Sequence, residues 1–209
     1  MSADGPLGSQ GLATEPERQA LLQTLVEMTR SVFASKACSI MSHDSGAREL
    51  IFEAVAGEGA GTLVGQRIPA NTGVAGWALA SEEPLAIADV RQDPRFARDV
   101  AESTGFVPTN LTVYPLLHAE QSLGVLSVLD QGITKQVGLA DMNVLARIAT
   151  HAATVLSLVL TARRAEAAGE GTGALAGVER ALAAAAPEQR EAARAVLEAL
   201  QRLLALSQR

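Results

Sequence analysis

The sequence predicts an α+β domain: an antiparallel sheet with helices on one face, followed by a C-terminal helical extension. Three observations carry this expectation. Most strand candidates are joined in pairs by short turns, as antiparallel hairpins are. A long helix near residue 150 is apolar on two sides and needs two covers. After Ala165 the chain turns alanine-rich, with 14 of its thirty-nine alanines in the last 44 of 209 residues.

Residues 1–14 are rich in Gly, Ser and Ala and read as a disordered tail. A helix starts at Glu15, with Thr14 as its cap and Pro16 in its first turn; Leu21, Leu25, Met28 and Val32 recur at helical spacing. Lys36 to Ser42 and Glu49 to Ala56 read as a hairpin turning at His43-Asp44-Ser45-Gly46, and Gly57 to Gly61 as a loop. A third strand is expected around Val64 to Ile68, closed by Pro69; then come a short helix at Gly73 to Ala80 and a strand at Leu85 to Ala88. Asp93-Pro94 reads as a helix start, the carboxylate capping free N–H groups. Asn110 to Leu117 and Ser122 to Leu129 form a second hairpin with the loop His118 to Gln121; Leu111 and Val113 share one face, Thr112 and Tyr114 the other.

The long helix covers Leu139 to Ala165. One stripe holds Met142, Leu145, Ala149, Ala152, Leu156 and Val159; a second holds Val144, Ile148, His151, Val155 and Leu158. The domain therefore spans 15–165, a Gly-rich linker 166–173, and a helical hairpin 174–209 broken at Pro187, whose second helix carries Leu197, Leu200, Leu203 and Leu204. Short isolated helices are marginal in water, so this edge is expected to dock on the domain or on another chain.

Composition removes several classes. Asp and Glu outnumber Lys and Arg by 23 to 17, and no basic run interrupts them, so no nucleic-acid footprint is expected. No stretch reads as a membrane span and the N-terminus does not read as a secretory signal. One cysteine, Cys38, forms no internal disulfide, which fits a cytoplasmic protein. No Walker loop, G-x-S-x-G turn or H-x-x-H pair is present.

The ordered blocks Gly73-Val74-Ala75-Gly76-Trp77, Pro84 to Asp89, Asp93-Pro94-Arg95-Phe96, Leu111 to Leu116 and Leu123 to Val128 resemble a GAF domain over about residues 20 to 165. The resemblance implies a six-stranded antiparallel sheet with a small-molecule pocket on one face. It also implies that the first and last helices lie on the other face and pair into a homodimer through Leu21, Leu25, Met28, Val144, Ile148, His151, Val155 and Leu158. Phe96, Val100, Phe106, Thr109 and Asn110 would lie on the segment covering the pocket, with Trp77, Ile87, Asp89 and Thr112 as further ligand-binding candidates. Asp89 alternatively orders its loop, and Trp77 alternatively belongs to the core.

Departures from the family narrow the chemistry. The last strand runs into Asp130-Gln131-Gly132, without the Asn-Lys signature of cyclic-nucleotide-binding members, and no cysteine stands ahead of Val100 to Gly105 to attach a bilin. Free methionine sulfoxide reductases of this fold need at least two cysteines, and here there is one. The expectation is a non-enzymatic, cytoplasmic regulatory protein that dimerises and signals to a partner protein through its C-terminal helices, with Leu197, Leu200 and Leu204 at that surface. Its rivals are a scaffold with a vestigial pocket and a thiol-based redox enzyme using Cys38. The sequence assigns no cofactor or metal; His43 and His118 read as solvated turn residues and His151 as an interface residue.

Overall fold

A computed structural model describes residues 14–103, 105–131 and 139–167. The elements run α1 (Glu15–Val32), β1 (Ala37–Asp44), β2 (Glu49–Gly57), β3 (Arg67–Pro69), α2 (Gly73–Ser81), β4 (Leu85–Ile87), a 3-10 turn (Val90–Gln92), α3 (Arg98–Ser103), β5 (Leu111–His118), β6 (Gln121–Leu129) and α4 (Leu139–Ala167). The six strands form one sheet in the order β3-β2-β1-β6-β5-β4, and every pairing is antiparallel. The fold class is the expected one. The helical hairpin over 174–209, with Leu197, Leu200 and Leu204, lies outside the described residues.

The chain divides into two units, Leu22–Leu156 and a smaller one that joins residues up to Leu21 with those from Ser157. In the smaller unit Glu17 reaches back to accept from Thr14 N at 3.1 Å, one half of a capping box. Buried Arg18 there donates to Glu166 at 2.7 Å and pairs with Glu15, which also accepts from Arg163. Arg163 first of all holds the Glu15 carboxyl below its usual range, outweighing the effect of its burial.

In the larger unit Leu22, Leu25 and Val26 of α1 and Leu145, Ala149, Ala152 and Leu156 of α4 are buried. The Tyr114 hydroxyl donates to the Met142 carbonyl at 2.9 Å, fixing the start of α4 on the sheet face that carries the even-numbered residues of β5. By length and composition alone Ala140–Ala167 is long and apolar enough to cross a membrane, a test that a helix packed on a core also passes. Its first stripe is buried except for half-buried Met142, whereas its second is divided: Val155 is buried, Ile148, His151 and Leu158 are half-buried, and Val144 is exposed.

Other expectations need correction. Val64 is exposed and precedes the third strand, which has three residues and contains Pro69 itself; proline is tolerated there because β3 is an edge. Asp93 does not start a helix: its carboxylate accepts from Arg95 N at 2.9 Å to close a turn, and α3 begins five residues later. His43 lies within β1, opposite Leu50. The first hairpin turns after Asp44, whose carboxylate accepts from the Gly46 and Ala47 N–H groups.

Gly76 explains the spacing of the Gly73-Val74-Ala75-Gly76-Trp77 block. A Cβ at this position would lie 2.5 Å from the Asn71 carbonyl carbon, so only glycine lets α2 lie against the chain that leads into it. Gly124 plays the same part in the sheet, where a Cβ would meet the Met41 carbonyl oxygen at 1.9 Å.

Candidate functional site

The sheet face opposite α1 and α4 carries Met41 from β1, Phe52 and Val55 from β2, Leu111 and Val113 from β5 and Val125 from β6. A bulge sets the β2 register: Ile40 opposes Ala54 and Met41 opposes Phe52, so Glu53 is the extra residue. α2 and the segment leading into α3 cover this face without filling it. A cavity of about 130 Å³ remains, with Phe96, Val100 and Phe106 lining its covering side.

Three of the nine ligand-binding candidates therefore line one cavity: Phe96, Val100 and Phe106. Trp77 packs on the neighbouring core, with the Arg95 guanidinium 4.8 Å over its ring. Ile87 is a buried member of that same core. Asp89 caps the 3-10 turn and pairs with Arg91 at 2.9 Å; the Arg91 side chain, then Gln92 and the Arg91 N–H, hold its carboxyl well below the usual range. Thr109 and Asn110 donate their N–H groups to Asp130 Oδ1 at 2.6 and 3.1 Å, joining the start of β5 to the end of β6. Thr112 is buried on the opposite face, as the two-residue period of the strand requires.

The Asp93-Pro94-Arg95-Phe96 block is now legible as a support. Asp93 grips Arg95 through both carboxylate oxygens, at 2.9 and 2.7 Å; Arg95 lies on Trp77, and Phe96 follows directly into the cavity. The Arg95 side chain above all holds the Asp93 carboxyl down at about 2, so this clasp is charged throughout the physiological range. Lys36 lies at the rim, 6.0 Å from the Phe106 ring, and pairs with Asp130 at 3.1 Å.

Sequence reasoning missed the floor and one wall of the cavity. Ser39 and Ser127 both line it, directly opposite each other on β1 and β6, and each is only 5% exposed. The alternation Ser39/Met41 and Ser127/Leu129 carried this signal. On the wall stand Thr72, Gly73, Val74 and Ala75, the cap and first turn of α2. Thr72 makes no side-chain capping bond, and Gly76 is the first residue of the helix whose N–H finds an acceptor, the Thr72 carbonyl at 2.9 Å. Among the described residues that line the cavity, exposed Glu58 is the one charged side chain.

Cys38 borders the cavity from β1 and is fully buried, and burial pushes its thiol up to about 12. Such a thiol is protonated at neutral pH and is a poor nucleophile. Among the described residues no group of three His, Cys, Asp or Glu is placed to hold a metal ion.

An antiparallel sheet with helices on one face and a covered cavity on the other defines a two-layer α+β module. A family model for the GAF domain matches residues 17–156, and the chain belongs to that family. Solved structures agree in fold. The chain is similar to the GAF domain of a phosphoenolpyruvate-protein phosphotransferase from Coxiella burnetii, at 20% identity, covering 78% of this chain and 92% of that one with a TM-score of 0.62. The corresponding Acinetobacter domain matches at 16% identity over 73% of this chain and 86% of that one, TM-score 0.59. A free methionine-R-sulfoxide reductase from Neisseria meningitidis, solved with its substrate, matches at 20% identity over 69% and 83%, TM-score 0.53.

Proposed function

We propose that this chain is a non-enzymatic regulatory GAF protein of the cytoplasm, in which a small molecule held on one sheet face is coupled to helices on the other. The cavity under Phe96, Val100 and Phe106 is the observation that carries the reading: it is largely apolar and built from both hairpins. A ligand that favours one packing of the covering segment shifts the chain toward it by its differential affinity for the two. The high pKa of the Cys38 thiol argues against a redox enzyme.

Output in this reading passes through protein contact. Exposed Met28 and Val144, with half-buried Ile148 and His151, offer an apolar surface for a second copy of the chain. Leu21, Leu25 and Val155, expected at that surface, are buried within the chain and support it from beneath. The C-terminal segment from residue 170 then captures another signalling protein. The net charge of −6 accords with partners other than nucleic acid or an anionic membrane surface.

The test combines a thermal-shift screen of small molecules with light scattering and partner capture on the full chain and on a chain ending at residue 169. A ligand that raises the melting temperature, a dimer in both chains and loss of capture in the shorter one are expected. A monomer, or capture retained by the truncated chain, would overturn the output route. Silence across the screen would favour a scaffold.

A further inference from the structure

The cavity is more specific than its family. We infer that its ligand is a small, neutral, mainly apolar molecule with one hydrogen-bond acceptor, of the size and chemistry of a monocyclic aromatic carbonyl compound. This rests on the regulatory reading above and names the ligand class for that same site.

Size comes first. A cavity of about 150 Å³ lined by apolar side chains accommodates benzene, and this one measures about 130 Å³. A single ring fills this space, whereas a nucleotide or a tetrapyrrole would extend beyond it. The lining agrees: Met41, Phe52, Val55, Leu111 and Val113 line the space from the sheet side, and Leu63, Phe96 and Phe106 from the connecting segments. Aromatic side chains around a shared space suit a flat ring.

Polarity comes second. Ser39 and Ser127 place two hydroxyls side by side on an otherwise apolar floor. Both hydroxyls line the cavity, whereas the buried Ser42 and Thr29 hydroxyls on other elements are taken up by Glu53 and the Leu25 carbonyl. Ser35 and Ser122 bury hydroxyls without a partner away from the cavity; the Ser39–Ser127 pair differs in facing a space where one guest atom can bond to both. The uncapped first turn of α2 adds N–H donors along the wall. The wall N–H groups can only donate and the floor hydroxyls can donate to the same atom, which favours an acceptor on the ligand.

Charge comes third. The cations nearest the cavity are occupied, Arg95 by Asp93 and Trp77 and Lys36 by Asp130. No cationic side chain stands among the described lining residues, and exposed Glu58 repels anions at the edge. A buried carboxylate or phosphate would lack compensation, so the acceptor is an uncharged carbonyl oxygen.

Calorimetry on the full chain tests this with acetophenone, benzamide, benzene, sodium benzoate and cyclic GMP as probes. Acetophenone and benzamide bind, while benzoate and cyclic GMP bind at least about tenfold more weakly. The double variant Ser39→Ala/Ser127→Ala weakens acetophenone by about tenfold and leaves benzene within about twofold, because two net hydrogen bonds are lost and no apolar contact is. The same variant without ligand melts no lower than the parent, a result that structurally bonded serines would not give. Val100→Trp, on the covering segment, abolishes binding of acetophenone and benzene alike. Tighter binding of benzoate or cyclic GMP than of acetophenone would overturn the ligand class and leave the regulatory reading standing. An unchanged acetophenone affinity in the double variant would overturn the role of the serines. No binding by any probe or by the wider screen would overturn both readings in favour of the scaffold.

Discussion

Gly124 and Asp130 show how single residues hold the site together without touching a ligand. β6 can lie beside β1 only because position 124 has no side chain, since a Cβ there would come within 1.9 Å of the Met41 carbonyl oxygen. Gly124→Ala is expected to lose more than about 3 kcal/mol of stability in urea denaturation, because backbone must move on two strands. Asp130 works by charge. Burial raises its carboxyl, but the Asn110 and Thr109 N–H groups and the Lys36 ammonium outweigh this and hold it below the usual carboxylate range. The folded state therefore binds that proton less readily than the unfolded one. The stabilisation is fully present above the unfolded value of about 3.9 and is lost as pH falls through the lower folded value. Asp130→Asn keeps one acceptor oxygen and tolerates the left-handed backbone found there, with φ 50°, but loses the ion pair. A drop of about 1 to 2 kcal/mol at pH 7 that narrows on acidification toward pH 3 is expected; an equal drop at both pH values would show that charge is not the cause.

Hairpins and helices were largely legible as elements because their signals are periodic. β1 with β2 and β5 with β6 were found to within two residues at each end, and so were α1 and α2; α4 runs two residues past its expected end. The misreadings concern chain that has no period. β3 has only three residues, too few for alternation to register, and the Asp93-Pro94 dipeptide offers the same capping chemistry to a turn as to a helix. The β5–β6 connection is tighter than its sequence suggests: a two-residue turn in which Ala119 and Glu120 both have positive φ, 47° and 61°. Such turns favour Asn-Gly. Ala119→Asn with Glu120→Gly is expected to raise stability by about 1 kcal/mol in thermal or chemical denaturation, since strain is relieved on an exposed turn. A fall in stability would mean that the present residues make compensating contacts.

For the molecule as a whole, the strand order made half of the cavity difficult to foresee. Phe96, Val100 and Phe106 stand together in sequence and could be read as one covering segment; Ser39 and Ser127 become neighbours only when β1 pairs with β6, 88 positions apart by their numbering. Thr112 was assigned to the site although the alternation of β5 places it on the other face with Tyr114. On that other face the divided second stripe of α4 makes its own prediction. Val144→Asp with Ile148→Asp is expected to convert the proposed dimer to a monomer in light scattering without lowering the melting temperature by more than a few degrees, because both side chains reach solvent in the single chain. A dimer that persists would place the interface elsewhere. The β1–β6 pairing has a kinetic meaning too. Each hairpin can form from local sequence, but the seam between them closes a loop of most of the domain and is slow by comparison. The two serines meet only at that seam, so neither half can offer a binding floor while the chain is incomplete. A bound molecule would act as a latch on the last step of assembly, and its release would loosen the sheet at the join between its halves before either hairpin.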